Sequence, residues 1–97
     1  MAEARYEEAV AAYEAALAEH PGDPDLVGRL AAARAKLAEV EVGAGRRAEQ
    51  AGALLEAARH YQRALSARPG HAAARRGLKR IERRLAERVA EALAHGR

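Results

Sequence analysis

Apolar residues recur at three- and four-residue spacing along almost the whole chain. Over residues 3–20, Tyr6, Ala9, Val10, Tyr13, Ala16 and Leu17 share one face, and Glu3, Glu7 and Glu14 share the other. That pattern predicts an amphipathic helix. It stops at His20-Pro21-Gly22, because proline cannot continue the helical ladder and glycine accepts left-handed torsions. Asp23-Pro24-Asp25 then starts a second helix. Asp23 is a good N-cap, Pro24 suits the first helical position and Asp25 complements the helix dipole. Leu26, Leu30, Ala33, Leu37 and Val40 follow at alternating steps of four and three, a seam repeating every seven residues.

Gly43-Ala44-Gly45 is the weakest helical stretch and the expected break. If it is bridged, residues 24–51 form one long helix instead. A third helix is expected from about Arg46 to Ala67, with Leu54, Ala57, Ala58, Tyr61, Ala64 and Leu65 inward and a kink at Gly52. Arg68-Pro69-Gly70-His71 makes a second turn, in which His71 is a poorer cap than Asp23. The fourth helix, 72–94, carries Ala74, Leu78, Ile81, Leu85, Val89 and Leu93.

The chain repeats itself. Ala9, Tyr13, Ala16 and Pro21 recur as Ala57, Tyr61, Ala64 and Pro69, 48 residues on. The same shift aligns Leu30 with Leu78, Leu37 with Leu85 and Glu39 with Glu87. The expected fold is therefore all-α, four helices in two tandem antiparallel hairpins within a single domain spanning 1–97. Hairpin one covers about 2–42, the break 43–45 and hairpin two about 46–95. Tyr6, Ala9, Tyr13, Ala16, Ala57, Tyr61 and Ala64 are the expected packing and interface residues.

The run GALLEAARHYQRALSARPGH resembles the second helix of a tetratricopeptide repeat and the turn after it, at Gly52, Ala57, Tyr61, Ala64 and Pro69. The first copy matches at Ala9, Tyr13, Ala16 and Pro21, without the helix that would precede it. Two departures stand out. The family period is 34 residues, shorter than the 48 here by one 14-residue helix. Around 41–48 the chain reads EVGAGRRA, where only Gly45 fits the family's first-helix signature. The resemblance implies a scaffold that binds proteins. Family ligands usually lie along the first helices, the segments that diverge here, so no ligand-contacting residue carries over.

Composition narrows the rest. Twenty-eight alanines, ten leucines, five valines and one isoleucine, with no Phe, Trp or Cys, favour helix over strand. So few large apolar side chains make a thin core, which self-association or docking would relieve. Helix one, with no preceding partner, is expected to cover its Ala/Tyr face in a homodimer, exchange of hairpins being one way to form it. Fifteen arginines against two lysines suggest a natural, bacterial chain rather than a designed bundle. No apolar run approaches the roughly 20 residues of a membrane span. The acidic N-terminus does not read as a signal peptide, which leaves a cytoplasmic protein as the expectation.

Charge is segregated. Residues 1–41 hold nine acids and four bases, residues 42–71 two acids and five bases, and residues 72–97 three acids and eight bases. Arg75, Lys79 and Arg83 form one i+4 row on helix four, and Arg76, Arg80, Arg84 and Arg88 form the next. The plainest reading is a solvated face whose long side chains cover apolar surface. The second is a contact for an acidic protein surface, such as Glu3, Glu7, Glu8 and Glu14 of another copy. The third is phosphate neutralisation on a nucleic acid, although no aromatic residue interleaves the row to stack on bases. An interfacial membrane helix over 72–94 is disfavoured by its narrow, alanine-diluted apolar face.

The tyrosines sit on apolar stripes and read as core. His20, His60, His71 and His95 lack the spacing of a metal site. Ser66 is the sole serine and there is no threonine, so a hydroxyl nucleophile is scarcely available. No catalytic residue, cofactor or metal is expected. The expected function is a non-catalytic adaptor that binds protein or itself. The alternatives are a nucleic-acid-associated protein using helix four, or a regulatory fragment of a larger protein.

Overall fold

Turn chemistry and tight packing at glycine divide the chain into four helices. A computed structural model describes residues 2–96, with side chains from residue 5 onward. The helices are α1 (Ala2–Glu19), α2 (Pro24–Gln50), α3 (Leu54–Ala67) and α4 (Ala72–His95), and there is no strand among the described residues. At the first turn Gly22 takes φ 82°. Asp23 then caps α2, its Oδ1 accepting from the amide of Asp25 at 3.0 Å and of Leu26 at 3.4 Å. His71 caps α4 with a longer bond, Nδ1 accepting from Ala74 N at 3.3 Å.

The break falls elsewhere than expected. Gly43 and Gly45 lie inside α2, which runs unbroken for 27 residues, roughly 40 Å at the usual rise. The third helix therefore begins at Leu54, not near Arg46. Interior glycine costs a helix only about 1 kcal/mol, and at Gly45 tertiary packing offsets it. A Cβ there would lie 2.8 Å from the Tyr61 ring, so glycine is what lets α3 approach. The real stop is Gly52, with φ 79°. Gly52 N donates to Glu49 O and Ala53 N to Ala48 O, a Schellman end that satisfies the last carbonyls of α2. Gly52 terminates one helix; it does not kink another.

α2 is consequently shared. α1 packs antiparallel on its amino-terminal half, covering Leu30 and Ala33, and α3 packs back along its carboxyl-terminal half. α4 then returns along α3. The 14 residues by which the repeat exceeds the family period are spent on helix length, not on an additional helix. The core lies where α2, α3 and α4 meet: Ala38, Val42 and Ala48, then Leu54, Ala57, Tyr61 and Ala64, then Ala74 and Ile81. The molecule measures 61 × 24 × 19 Å with a radius of gyration of 17.1 Å, against about 12.5 Å for a compact domain of this length. An elongated stack leaves faces open at both ends.

Candidate protein-binding surfaces

The ring of Tyr61 organises the middle of the stack. It is buried between Gly45 of α2 and Gly77 of α4, where an added Cβ would lie 2.8 Å and 2.5 Å from it. Its hydroxyl donates to Glu49 Oε1 at 2.7 Å. Arg80 of α4 donates to the same carboxylate, Nε to Oε2 at 3.0 Å and a terminal nitrogen to Oε1 at 3.1 Å. The bonds from Arg80, and then that from Tyr61, hold the Glu49 carboxyl below the usual range against the opposing effect of burial. Burial, then the bond to Glu49, pushes the Tyr61 phenol up.

This network floors a cleft of about 440 Å³ between the end of α2 and α4, lined by Arg46, Glu49, Gln50, Arg80 and Arg84. Glu49 is occupied by Arg80 and Tyr61. Among the described residues, neither Arg46 nor Arg84 lies within ion-pair distance of a carboxylate. Two uncommitted guanidinium groups thus face an open polar cleft. That arrangement can hold carboxylates or phosphates in the bidentate manner of arginine.

The expected basic rows divide. Arg75, Arg76, Lys79, Arg80, Arg83, Arg84 and Arg88 are all exposed. Only Arg80 and Arg84 reach the cleft, while Arg88 borders a separate shallow groove with Leu54, Leu55 and Leu85. The small-aromatic-small stripes also part company. Ala57, Tyr61 and Ala64 are sealed in the core of this fold, where Tyr61 also holds Glu49 through its hydroxyl. Tyr6, Ala9, Tyr13 and Ala16 are half-buried, covered by α2 on one side. On the other side lies a second groove of about 310 Å³, lined by Tyr6, Ala9 and Tyr13 of α1 and Ala32 and Ala33 of α2, with Arg5, Arg29 and Lys36 at its rim. The side chain of Glu3 falls outside the described residues.

Sequence reasoning missed the partners of α2. Glu41 is buried and meets Nδ1 of the half-buried His60 at 2.9 Å. His71 Nδ1 accepts a backbone amide, so its proton sits on Nε2, which donates to Glu39 at 2.8 Å. Arg46 and Gln50, four apart, share a face on either reading of the helix, but it is as the end of α2 that they come to line a cleft with α4. No spacing pointed from Glu49 to Tyr61. Among the described residues no cluster suited to a metal occurs, and no helix is long and apolar enough to cross a membrane.

Residues 1–49, a stretch that takes in α1 and nearly all of α2, match the tetratricopeptide repeat family. The chain belongs to that family. No curated protein and no solved structure matches it. The matched segment is the first hairpin, while the tightest glycine–ring contact, Gly77 against Tyr61, lies in the second. Membership in this family suggests a protein-interaction module.

Proposed function

We propose that this tetratricopeptide-repeat protein is a non-catalytic adaptor whose partners are proteins, its own copies included, and that it takes an acidic segment in the cleft between α2 and α4. The observation carrying this reading is the pair Arg46 and Arg84, uncommitted beside a Glu49 already engaged by Arg80 and Tyr61. A carboxylate entering there meets two guanidinium groups that are held in no ion pair among the described residues and feel Glu39 and Glu49 only through space. Cofactors, metals and membranes have no part in this reading, and the cytoplasm is the proposed compartment.

The test is fluorescence anisotropy with a labelled Glu-rich peptide at low and at physiological salt. Arg46→Gln and Arg84→Gln should each weaken binding several-fold, and Arg83→Gln, on the other row, should not. If all three weaken it alike, the cleft is not the site. If duplex or single-stranded nucleic acid binds and the peptide does not, the adaptor reading gives way to nucleic-acid association through α4.

A further inference from the structure

The internal repeat explains two unfilled surfaces at opposite ends of the molecule. A shift of 48 residues carries α1 onto α3 and α2 onto α4. Under that shift Tyr6, Ala9 and Tyr13 become Leu54, Ala57 and Tyr61, and Ala33 becomes Ile81. The latter four are buried, because the carboxyl-terminal half of α2 lies against α3 and α4. The α1–α2 groove is therefore the counterpart of a site that, within the chain, is filled by a helix.

The matching helix is present at the other end. α4 extends about ten residues past Leu85, roughly 15 Å, and α3 does not follow it. Val89 and Leu93, in line with Leu85 at four-residue steps, are 60% and 66% exposed. The shift aligns them with Glu41 and Gly45, positions of α2 that are buried under α3. The bare end of α4 thus repeats the part of α2 that the groove lacks. Charge agrees where the two surfaces would meet: past Leu85 the end of α4 carries Glu87 and Glu91 against one arginine, Arg88, and the groove is rimmed by Arg5, Arg29 and Lys36. Opposite fields of this kind steer association and set its orientation.

We propose that the protein assembles head to tail, the carboxyl-terminal end of α4 from one copy seating in the α1–α2 groove of the next. This rests on the reading of the chain as a protein-binding module and names one partner, a second copy. Because the two surfaces differ, each added copy presents a fresh groove or a fresh tail. Growth continues beyond a dimer until it closes in a ring or is limited by concentration. Leu93 stands where Gly45 stands, so the joint between copies is wider than the joint inside the chain. The leucine fills room left in the groove beside the half-buried Tyr13.

The experiment is sedimentation equilibrium of the full chain over a wide concentration range. Its weight-average mass should rise past that of a dimer. Val89→Glu combined with Leu93→Glu alters only exposed positions and should shift association at least tenfold toward monomer. Ala32→Arg, which obstructs the exposed side of the groove, should do the same. Mixed, the two variants should form a 1:1 heterodimer and nothing larger, since one keeps its groove and the other its tail. A wild-type monomer at every concentration overturns the proposal, as does a dimer that never grows or a mixture that fails to pair. Circular dichroism establishes that the variants are folded. Binding of the acidic peptide by the tail variant shows the module reading intact even if assembly fails.

Discussion

Tyr61 and Gly77 touch so closely that a Cβ on Gly77 would lie 2.5 Å from the phenol carbon Cζ. The ring has nowhere to go, because Gly45 bounds its other side. Gly77→Ala should therefore destabilise the protein even though alanine is the better helix former. Overpacking costs about 1–3 kcal/mol, and the helix preference returns about 1 kcal/mol of it. A net loss of up to about 2 kcal/mol is expected for Gly77→Ala and a smaller one for Gly45→Ala, read by urea unfolding. In a Tyr61→Leu background both penalties should shrink, since the clash partner is gone. Equal penalties in the two backgrounds would show that the ring is not the cause.

Gly28 and Gly43 make the opposite case within the same helix. A Cβ on Gly28 would meet nothing within 4 Å, and one on Gly43 only an arginine terminus at 3.6 Å. Both sit at helical torsions in an unbroken α2. Gly28→Ala and Gly43→Ala should each stabilise by about 0.5–1 kcal/mol, visible as a rise of several degrees in melting temperature. Destabilisation by Gly43→Ala would instead restore a break at residues 43–45. Gly52→Ala, at φ 79°, should cost about 1 kcal/mol.

Two of the three turns, at Pro21-Gly22 and Pro69-Gly70, the helical face of each segment and the duplicated stripe were legible because they are local: proline, glycine, a capping aspartate and apolar spacing. The fate of Gly43 and Gly45 was not. Propensity alone favours a break there, and only the approach of Tyr61, sixteen residues beyond Gly45, decides for continuity. The site follows the same division. Arg80 and Arg84 were visible as part of a basic row. Selecting them from that row needed Arg46 and Glu49, which α2 brings alongside only when it is unbroken. The separate roles of the two stripes were also beyond the sequence, because burial of Tyr61 and half-exposure of Tyr13 depend on which helices lie across them.

The Glu49 network should give the protein a pH window. Its depressed carboxyl contributes stability that is present above the unfolded value, near 4.3, and lost as pH falls through the folded one. Glu39, depressed chiefly by its bond from His71, acts in the same direction. The raised Tyr61 phenol contributes stability that is full below about pH 10 and lost as pH rises through its folded value. Urea midpoints should be flat across the neutral range and fall on both flanks. Tyr61→Phe should flatten the alkaline flank and cost about 1 kcal/mol at neutral pH. Glu49→Gln should flatten the acid flank. An acid limb unchanged by Glu49→Gln would assign the titration to other carboxylates.

Among the described residues Glu41 is the one charged residue in the core, 1% exposed, and His60 reaches it from α3 at 2.9 Å. A buried carboxylate is tolerable only when its oxygens are satisfied. Truncating His60 to alanine removes one of those bonds without removing the charge, so it should cost about 1–3 kcal/mol. Replacing both residues at once, Glu41→Met with His60→Leu, removes the need for the bond along with the bond. That pair should cost less than Glu41→Met and His60→Ala added together, because the two positions share one bond. Denaturant unfolding of the single and double variants measures the difference. A double variant as unstable as His60→Ala would show that the contact positions α3 on α2 through its geometry. In that case the arginine-lined cleft beside Gln50 should also lose peptide affinity.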